Sequence, residues 1–269
     1  MLKRTVAYLA GRGCDTPRLD AEVLLADVLG VERIALYTDH ERPLTTAETD
    51  GYRAAVARRA AREPVAYILG HRGFRRLDLA VSSAVLVPRP ETELLVEWAV
   101  EVAPQGAAVL DWGTGSGAIA LALADERPDL IVTGIDRSAD ALDVARANDP
   151  DGVVAWVRSD GFEALADRRF DVVVANPPYL ADHELTTAAA ELGFEPAEAL
   201  ASGPSGYEAY EQITRDAPGH LQPGGRLLAE VGIGQSERVA TLYGAAGFFD
   251  IEVRPDLAGI SRAVGGRRA

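Results

Sequence analysis

The sequence predicts an α/β fold in which a mainly parallel sheet, covered by helices, follows a small helical region and a short β-hairpin. Apolar stretches beyond residue 105 alternate with helical patterns, which is typical of a parallel sheet with both faces covered. The first 65 residues instead have the periodicity of helices. The chain of 269 residues, with 48% apolar and 25% charged side chains, has the composition of a globular protein.

Helices in the N-terminal region are marked by residues that start and stop them. Pro17 suits the first position of a helix, where its missing N–H costs nothing, and Gly30 ends that helix. Thr45 and Glu48 have the spacing of a capping box, which starts a second helix. Pro64 should end it, because the residue before a proline is pushed out of the helical conformation.

A hairpin is predicted between the helical region and the sheet. Residues 73–87 alternate between apolar and polar side chains, as two short strands do. A further helix is predicted from about Pro88 to Val102. We therefore divide the chain into a helical domain, a β-hairpin linker and an α/β domain, with the bounds 1–72, 73–90 and 91–269.

The α/β domain contains a regular succession of strands and helices. Strands are predicted near residues 107–112, 130–135, 153–158, 170–175, 226–231 and 249–254. Helices are predicted near residues 116–125, 138–147, 207–217 and 235–246. A short turn at residues 256–259 joins the last two strands, so these two strands should pair antiparallel.

A glycine-rich loop after the first of these strands is a candidate cofactor site. Glycines allow a sharp turn and close approach of a ligand, and an acid after the second strand can accept both hydroxyls of a ribose. Dinucleotide-binding dehydrogenases share this layout, and a glycine loop can also be only a structural turn. The i, i+2, i+4 spacing, the preceding acid and the acidic domain favour S-adenosylmethionine, which carries a sulfonium and an ammonium. The residues predicted to bind it are Asp111, Gly113, Thr114, Gly115, Ser116, Gly117 and Asp136.

Asp160 and Phe162 follow the third strand, where the adenine base of the same cofactor would lie. The carboxylate would accept a hydrogen bond from the exocyclic amine, and the aromatic ring would pack against the base. The alternative is an ordinary Asp-Gly turn followed by a phenylalanine of the core.

The strand at 170–175 ends in the tetrapeptide Asn176-Pro177-Pro178-Tyr179, which should lie across the cofactor from the glycine loop. A glutamine or adenine nitrogen is a poor nucleophile, so the protein must point it at the methyl group. Asn176 and the backbone of Pro177 offer carbonyl acceptors, and Tyr179 offers a flat face. We predict that all four residues bind the substrate, that Asn176, Pro177 and Tyr179 act in catalysis by positioning, and that Asn176 also touches the cofactor. The alternative is a proline-rich turn.

Charge is distributed unevenly along the chain, whose net charge is −14. Residues 1–80 carry 13 basic and 11 acidic side chains, whereas the remainder carries 14 and 30. An acidic catalytic region disfavours tight, nonspecific binding of nucleic acid. Arg58, Arg59 and Arg62 have the spacing of one helical face, and we expect either a single docking patch or a solvated surface there.

A location in the cytoplasm is expected. No apolar run approaches the length of a membrane span, and the apolar stretch near the N-terminus is too short for the core of a signal peptide. The single cysteine, Cys14, excludes an internal disulfide framework.

Together these motifs make the chain similar to the release factor glutamine methyltransferases of the HemK/PrmC family over nearly its whole length. The glycine loop is common to many methyltransferases, and the tetrapeptide is shared with enzymes that act on adenine in DNA. The PRPETE segment at residues 88–93 is more specific, although its local pattern alone also fits a plain helix start. The resemblance is carried by residues 18–22, 66–70, 87–93, 113–117, 176–179, 195–196, 230–232 and 235.

The resemblance implies a Rossmann-like, seven-stranded class I methyltransferase domain and a helical N-terminal domain that docks the substrate protein. It implies S-adenosylmethionine as methyl donor and, as substrate, the glutamine of the Gly-Gly-Gln motif in class 1 peptide chain release factors. Residues 113–117, Asp136 and Phe162 would hold the donor, and residues 176–179 would hold the glutamine. No membrane or nucleic acid partner is implied.

Three features depart from the family pattern. Trp112 replaces a smaller aliphatic residue, Ser261 stands where the family tends to have aspartate, and the segment after Asn148 is short. None of these positions is assigned to the chemistry. The departure at Trp112 bears on the wall of the donor pocket.

Alternative functions remain open at the level of sequence. A glutamine methyltransferase that acts on a ribosomal protein would use the same motifs. A nucleic-acid adenine N6-methyltransferase, or a cytosine enzyme, would use the tetrapeptide on a flipped base and would need a basic target-reading domain. A non-catalytic protein that only binds the donor would not need the intact tetrapeptide.

Overall fold

The computed structural model describes residues 1–39 and 41–269 and divides into two compact units. The first, which we call the helical unit, contains Met1–His71 and Ala189–Phe194. The second, the α/β unit, contains Arg72–Ala188 and Glu195–Ala269.

The helical unit follows the predicted start and stop signals closely. Gly30 follows α2 in the left-handed conformation with φ of 63°, and both hydrogen bonds of the capping box at Thr45 form before α4. The helix that starts after Thr45 ends at Ala60, which is earlier than predicted. Pro64 does not end this helix but precedes a separate short helix, α5. The helices are α1 (Leu2–Ala10), α2 (Pro17–Leu29), α3 (Ala35–Thr38), α4 (Thr46–Ala60) and α5 (Val65–Leu69).

A buried ionic cluster lies inside the helical unit. Arg59 is only 5% exposed, and its guanidinium donates to Asp20 at 2.7 Å and to Glu191 at 2.9 Å. Arg62 donates to the same Glu191 carboxylate at 2.6 Å, and Arg58 pairs with a neighbouring glutamate at 2.5 Å. The three arginines therefore do not form the single patch predicted on one helical face, because Arg59 is buried and Arg62 lies beyond the end of α4.

The hairpin is shorter than predicted and consists of β1 (His71–Phe74) and β2 (Leu77–Ala80). Residues 85–87, expected in a strand, lie outside any strand. Phe74 and Leu79 are buried in the same core as the helices and strands that follow them. The hairpin is therefore part of the packing of the α/β unit.

The main sheet of the α/β unit has seven strands in the order β10-β11-β9-β6-β3-β4-β5, which confirms the predicted fold class. Within this sheet β11 runs opposite to the other six strands, as the short turn before it predicts. A second, two-stranded sheet pairs β7 with β8. The strands are β3 (Ala108–Trp112), β4 (Ile131–Asp136), β5 (Ala155–Arg158), β6 (Phe170–Ala175), β7 (Leu180–Ala181), β8 (Ala201–Gly203), β9 (Leu221–Glu230), β10 (Phe248–Pro255) and β11 (Ser261–Arg268).

Helices cover both faces of this sheet. The first begins later than predicted, because a 3₁₀ turn at Pro90–Thr92 precedes it. The helices are α6 (Glu93–Val102), α7 (Ala118–Glu126), α8 (Ala139–Ala147), α9 (Ala197–Leu200), α10 (Glu208–His220) and α11 (Ser236–Ala245).

The sheet has a separate apolar core on each face, because alternate residues of a strand point to opposite sides. Val172 and Val174 of β6 belong to the core with α6 and α7, whereas Val173 and Ala175 belong to the core with α10 and α11. β3 lies between β4 and β6, so the chain order reverses there. A ligand site is expected in the crevice beyond the carboxyl ends of strands at such a point.

Candidate active site

A cavity of about 410 Å³ opens beyond the carboxyl ends of β3, β4 and β6, and all of its lining residues belong to the α/β unit. It brings together several segments that are far apart in the sequence. The predicted site residues that line it are Gly113, Gly115, Asp136, Asp160, Asn176 and Pro178.

The glycine loop turns back over the end of β3 in a conformation that favours glycine. Gly113, Gly115 and Gly117 have φ values of 72°, 54° and 84°. No atom lies within 4 Å of where a Cβ would stand on Gly113 or Gly115, so both leave room for a ligand. A Cβ on Gly117 would lie 2.9 Å from the ring of Trp156, so this glycine is needed for packing.

Asp111 supports the loop from below and does not line the cavity. Its carboxylate accepts hydrogen bonds from the Thr114 hydroxyl at 2.5 Å and from the Ala120 backbone N–H at 3.1 Å. Burial raises the pKa of Asp111 to about 7. The buried Thr114 and Ser116 do not line the cavity either, and the contacts of these three residues with the cofactor stay predictions.

Asp136 lies at the end of β4 and faces the cavity. Its two carboxylate oxygens accept from the backbone N–H groups of Gly115 and Ser138, each at 2.9 Å. These bonds fix the carboxylate, and each oxygen retains a second lone pair for a ligand. Burial raises the pKa of Asp136, although the two backbone donors oppose that shift.

Asp160 lines the cavity and is exposed, whereas Phe162 does not reach it. The Phe162 ring is buried in the core and stacks on His220, with ring centroids 4.8 Å apart and planes 15° apart. The contact of Phe162 with adenine stays a prediction, because the ring is buried and does not line the cavity of the protein alone. The alternative, a turn followed by a core phenylalanine, describes the structure.

Asn176 lines the cavity at the end of β6. Its amide nitrogen donates to the Thr92 hydroxyl at 3.0 Å, which leaves its carbonyl oxygen as the acceptor for a ligand. The Thr92 hydroxyl donates in turn to Glu230 at 2.6 Å. An acceptor at this point is what an amide or amino substrate requires.

The rest of the tetrapeptide is held by backbone contacts. Pro178 lines the cavity, whereas the side chains of Pro177 and Tyr179 do not. Tyr179 donates its N–H to the Leu200 carbonyl at 3.1 Å and accepts from the Gln235 side chain at 2.9 Å. These two bonds fix the backbone direction of the loop that follows Asn176.

One wall of the cavity is absent from the sequence-based prediction. It comes from residues 196–202, from the start of α10 and from residues 84–86. Glu195, whose carboxylate is buried, accepts from the Val87 N–H at 3.1 Å and from the Arg89 guanidinium at 2.5 Å, and so ties two of these segments together. Of this wall, the sequence analysis named only residues 195–196, as part of the family resemblance and without a role.

Within residues 1–39 and 41–269, no group of three or more His, Cys, Asp or Glu side chains is placed to hold a metal ion. None of the helices in the described part of the chain has the length and apolarity that a membrane span requires.

Comparison with known proteins relates both units to one family. The family model for the PrmC N-terminal domain matches residues 1–70, and that for the methyltransferase small domain matches residues 90–205. A release factor glutamine methyltransferase of Geobacter sulfurreducens is 43% identical, over 99% of this chain and 95% of that protein. Another, of Burkholderia pseudomallei, is 47% identical over 93% of this chain and 91% of that protein.

Solved structures of lower identity share the fold. A methyltransferase of Pyrococcus furiosus superposes with a TM-score of 0.53 at 17% identity, over 72% of this chain and 89% of that one. A 16S rRNA methyltransferase of T. thermophilus, in complex with AdoMet and guanosine, gives a TM-score of 0.52 at 20% identity, over 74% of this chain and 50% of that one.

Proposed function

Because this chain belongs to the release factor glutamine methyltransferase family, we propose that it methylates the side-chain amide nitrogen of the glutamine in the Gly-Gly-Gln motif of class 1 peptide chain release factors. The chain is a methyltransferase, with relatives that match nearly its whole length. The carbonyl oxygen of Asn176 in the cavity supports methylation of an amide or amino nitrogen, and the relatives support the choice of glutamine.

S-adenosylmethionine is the proposed methyl donor, and the cavity fits it. Gly113 and Gly115 leave open space where side chains would otherwise stand, and the Asp136 carboxylate is oriented with lone pairs to spare for ribose hydroxyls. When bound, the donor supplies an electrophilic methyl group on a positively charged sulfur. Asp160, on the wall between Asp136 and α10, is the proposed partner of the adenine amine.

The chain's own residues act mainly by holding the glutamine amide. The Asn176 carbonyl oxygen and the Pro177 backbone carbonyl accept the two N–H hydrogens, so that the nitrogen lone pair is directed at the methyl carbon. The donor would supply the methyl group, and the methylated amide nitrogen would then lose its extra proton to water. No strong general base is required, because a protonated amide is very acidic.

We assign the division of labour from the family. Residues 1–72 dock the release factor, residues 73–90 connect, and residues 91–269 carry the methyltransferase site. Most cavity residues support the last assignment, because they lie beyond residue 91, although Ala84, Val85 and Leu86 of the connecting segment also line the cavity. The acidic side-chain balance of this part of the chain, 30 acidic against 14 basic residues beyond residue 80, supports a protein substrate over a nucleic acid.

The test offers several substrates in parallel. Labelled S-adenosylmethionine is incubated with the purified protein and either a class 1 release factor, ribosomal proteins or DNA. We expect label in the release factor, lost when its Gly-Gly-Gln glutamine is changed to alanine. Label confined to a ribosomal protein would favour the nearest alternative, and label in DNA alone would overturn the proposal.

A further inference from the structure

Two family motifs that do not line the cavity meet behind Asn176. Thr92 belongs to the PRPETE segment and Glu230 lies at the end of β9, and both are buried, at 4% and 3% exposure. Together with Asn176, which lines the cavity, they form a continuous series of hydrogen bonds. The Asn176 amide nitrogen donates to the Thr92 oxygen at 3.0 Å, and the Thr92 hydroxyl donates to a Glu230 carboxylate oxygen at 2.6 Å.

The direction of this chain follows from counting donors. A hydroxyl has a single hydrogen, and an ionised carboxylate can only accept. The Thr92 hydrogen therefore goes to Glu230, and the Thr92 oxygen is left to accept from Asn176. This arrangement holds the NH₂ group of Asn176 toward the interior and leaves its carbonyl oxygen for the cavity.

A neutral group at position 230 would remove this constraint. A protonated Glu230 can donate to the Thr92 oxygen, and the Thr92 hydrogen is then free to point at Asn176. The amide of Asn176 can turn over in response and present NH₂ to the cavity. Two NH₂ groups, one from Asn176 and one from the substrate glutamine, would then face each other without an acceptor.

We propose that Thr92 and Glu230 are positioning residues that fix the Asn176 side-chain amide with its carbonyl oxygen directed at the substrate nitrogen. This inference rests on the proposed function for its meaning in catalysis, but the orientation itself is a property of the protein alone. It also gives a physical reason for two motifs that the donor and substrate contacts do not explain.

The surroundings of Glu230 support a dependence on pH. Burial raises the pKa of Glu230 to about 7, and the charge of Glu91 acts in the same direction. Arg262 and Arg89 oppose the shift, while Tyr179 and Tyr210 are the other titratable groups that interact with this carboxylate. Tyr210 donates to the backbone carbonyl of Glu230 at 2.9 Å and leaves the carboxylate to Thr92. The carboxylate form, and with it the orientation of Asn176, is lost as the pH falls below about 7.

The first measurement is turnover of the release factor. Thr92→Val keeps the shape of the side chain and removes the hydroxyl, and we expect kcat to fall roughly 10–100-fold with donor affinity within about twofold of wild type. Thr92→Ser retains the hydroxyl and should restore most of the activity. Glu230→Gln should also lower kcat, and it should remove the acidic limb near pH 7 that we expect for the wild type. Wild-type kcat in Thr92→Val would overturn the proposal.

The second measurement needs no substrate. The chain contains two asparagines, Asn148 and Asn176. Selective ¹⁵N labelling of asparagine therefore gives signals from only two side-chain NH₂ groups. Asn148 donates to the Ala80 and Ser116 carbonyls and serves as the internal control. In Thr92→Val the Asn176 amide signals should shift and exchange faster with solvent, whereas those of Asn148 should stay in place.

These two readouts separate the possible failures. A wild-type protein that leaves release factors unmethylated, but whose Asn176 amide responds to Thr92→Val, would contradict the proposed function and keep the positioning role. An Asn176 amide that is unchanged in both Thr92→Val and Glu230→Gln would overturn the positioning role, whatever the substrate proves to be.

Discussion

At the residue scale, side chains around the cavity take their roles from the hydrogen bonds that they already make. Asp111 and Asp136 are both carboxylates near the glycine loop, but only Asp136 keeps its oxygens within reach of a ligand. Asn176 differs from Tyr179 in the same way, since Asn176 offers a polar atom to the cavity and Tyr179 is used to anchor the loop. Residue type alone could not make these distinctions, because they depend on which face of each strand end is buried.

The Asp136 carboxylate should contribute directly to donor affinity. Asp136→Ala removes a charge-assisted contact to the ribose and should weaken S-adenosylmethionine binding by roughly 1.5–3 kcal/mol. Calorimetry measures this loss. Asp143→Ala, at an exposed carboxylate on the neighbouring helix α8, is the matched control and should bind normally. Tight binding of NAD together with no binding of S-adenosylmethionine would contradict the assignment of the pocket.

Asn176 should matter for turnover more than for folding. Asn176→Ala removes the proposed acceptor for the substrate N–H, and we expect turnover to fall by ~10²–10³-fold. The thermal unfolding temperature should change little, because Asn176 is only partly buried at the rim of the cavity. Donor affinity is measured alongside to separate binding from chemistry. Wild-type turnover in this variant would rule out positioning by the tetrapeptide.

At the scale of elements, the sequence patterns of short segments correctly predicted the strands, helices and turns that depend only on those segments. The glycine loop, the strands before it and the tetrapeptide occupy the predicted places, because apolar periodicity and turn residues are properties of short segments. The wall at residues 196–202 has no such pattern, since it is placed by the contacts of Glu195 with residues more than a hundred positions earlier. The stacking of Phe162 on His220 was not predicted for a similar reason, because the two residues are distant in sequence.

Asp111, in β3 before the glycine loop, should make the free energy of unfolding depend on pH. Its pKa is raised from 3.8 to about 7 by burial, so the folded protein binds this proton more tightly than the unfolded chain. Stability from this group is therefore fully present below about pH 4 and is lost as the pH rises from about 4 to about 7. Asp111→Asn removes this dependence and should gain about 1–3 kcal/mol relative to wild type between pH 4.5 and pH 8.

Denaturant unfolding of wild type and of Asp111→Asn at both pH values measures how the free energy of unfolding differs between the two proteins. Because other buried acids such as Glu230 titrate in both proteins, comparing the two isolates the contribution of position 111. An identical pH dependence in the two proteins would show that Asp111 is ionised in the folded state throughout.

At the scale of the whole molecule, the boundary between the units does not follow a single cut in the chain. The segment Ala189–Phe194 belongs to the helical unit, although in the sequence it lies between Pro178 and Pro196, which both line the cavity of the α/β unit. The hairpin belongs to the α/β unit, because Phe74 and Leu79 lie in its core. Sequence patterns place neither of these, since both result from long-range packing.

A shortened protein that starts at Arg72 tests the division of labour. It keeps the hairpin except for His71, and it keeps every residue that lines the cavity, so we expect it to bind S-adenosylmethionine. It should lose most turnover on an intact release factor, because the glutamine is no longer delivered by a docked complex. Turnover is normalised to the fraction that binds the donor, and full normalised turnover would show that docking does not need the helical unit. A start at residue 81 is unsuitable, since it would remove Phe74 and Leu79 from the core.

Protein synthesis delivers the two halves of the buried ionic cluster at different times. Arg62 and Glu191 are 129 residues apart, so at roughly 5–20 residues per second Glu191 leaves the ribosome on the order of 10 seconds later. During that interval the nascent chain holds Arg59 and Arg62 without this carboxylate, while β3, β4, β5 and β6 are being made. The helical unit is thus encoded first, but it receives its last segment only after four strands of the sheet have been translated.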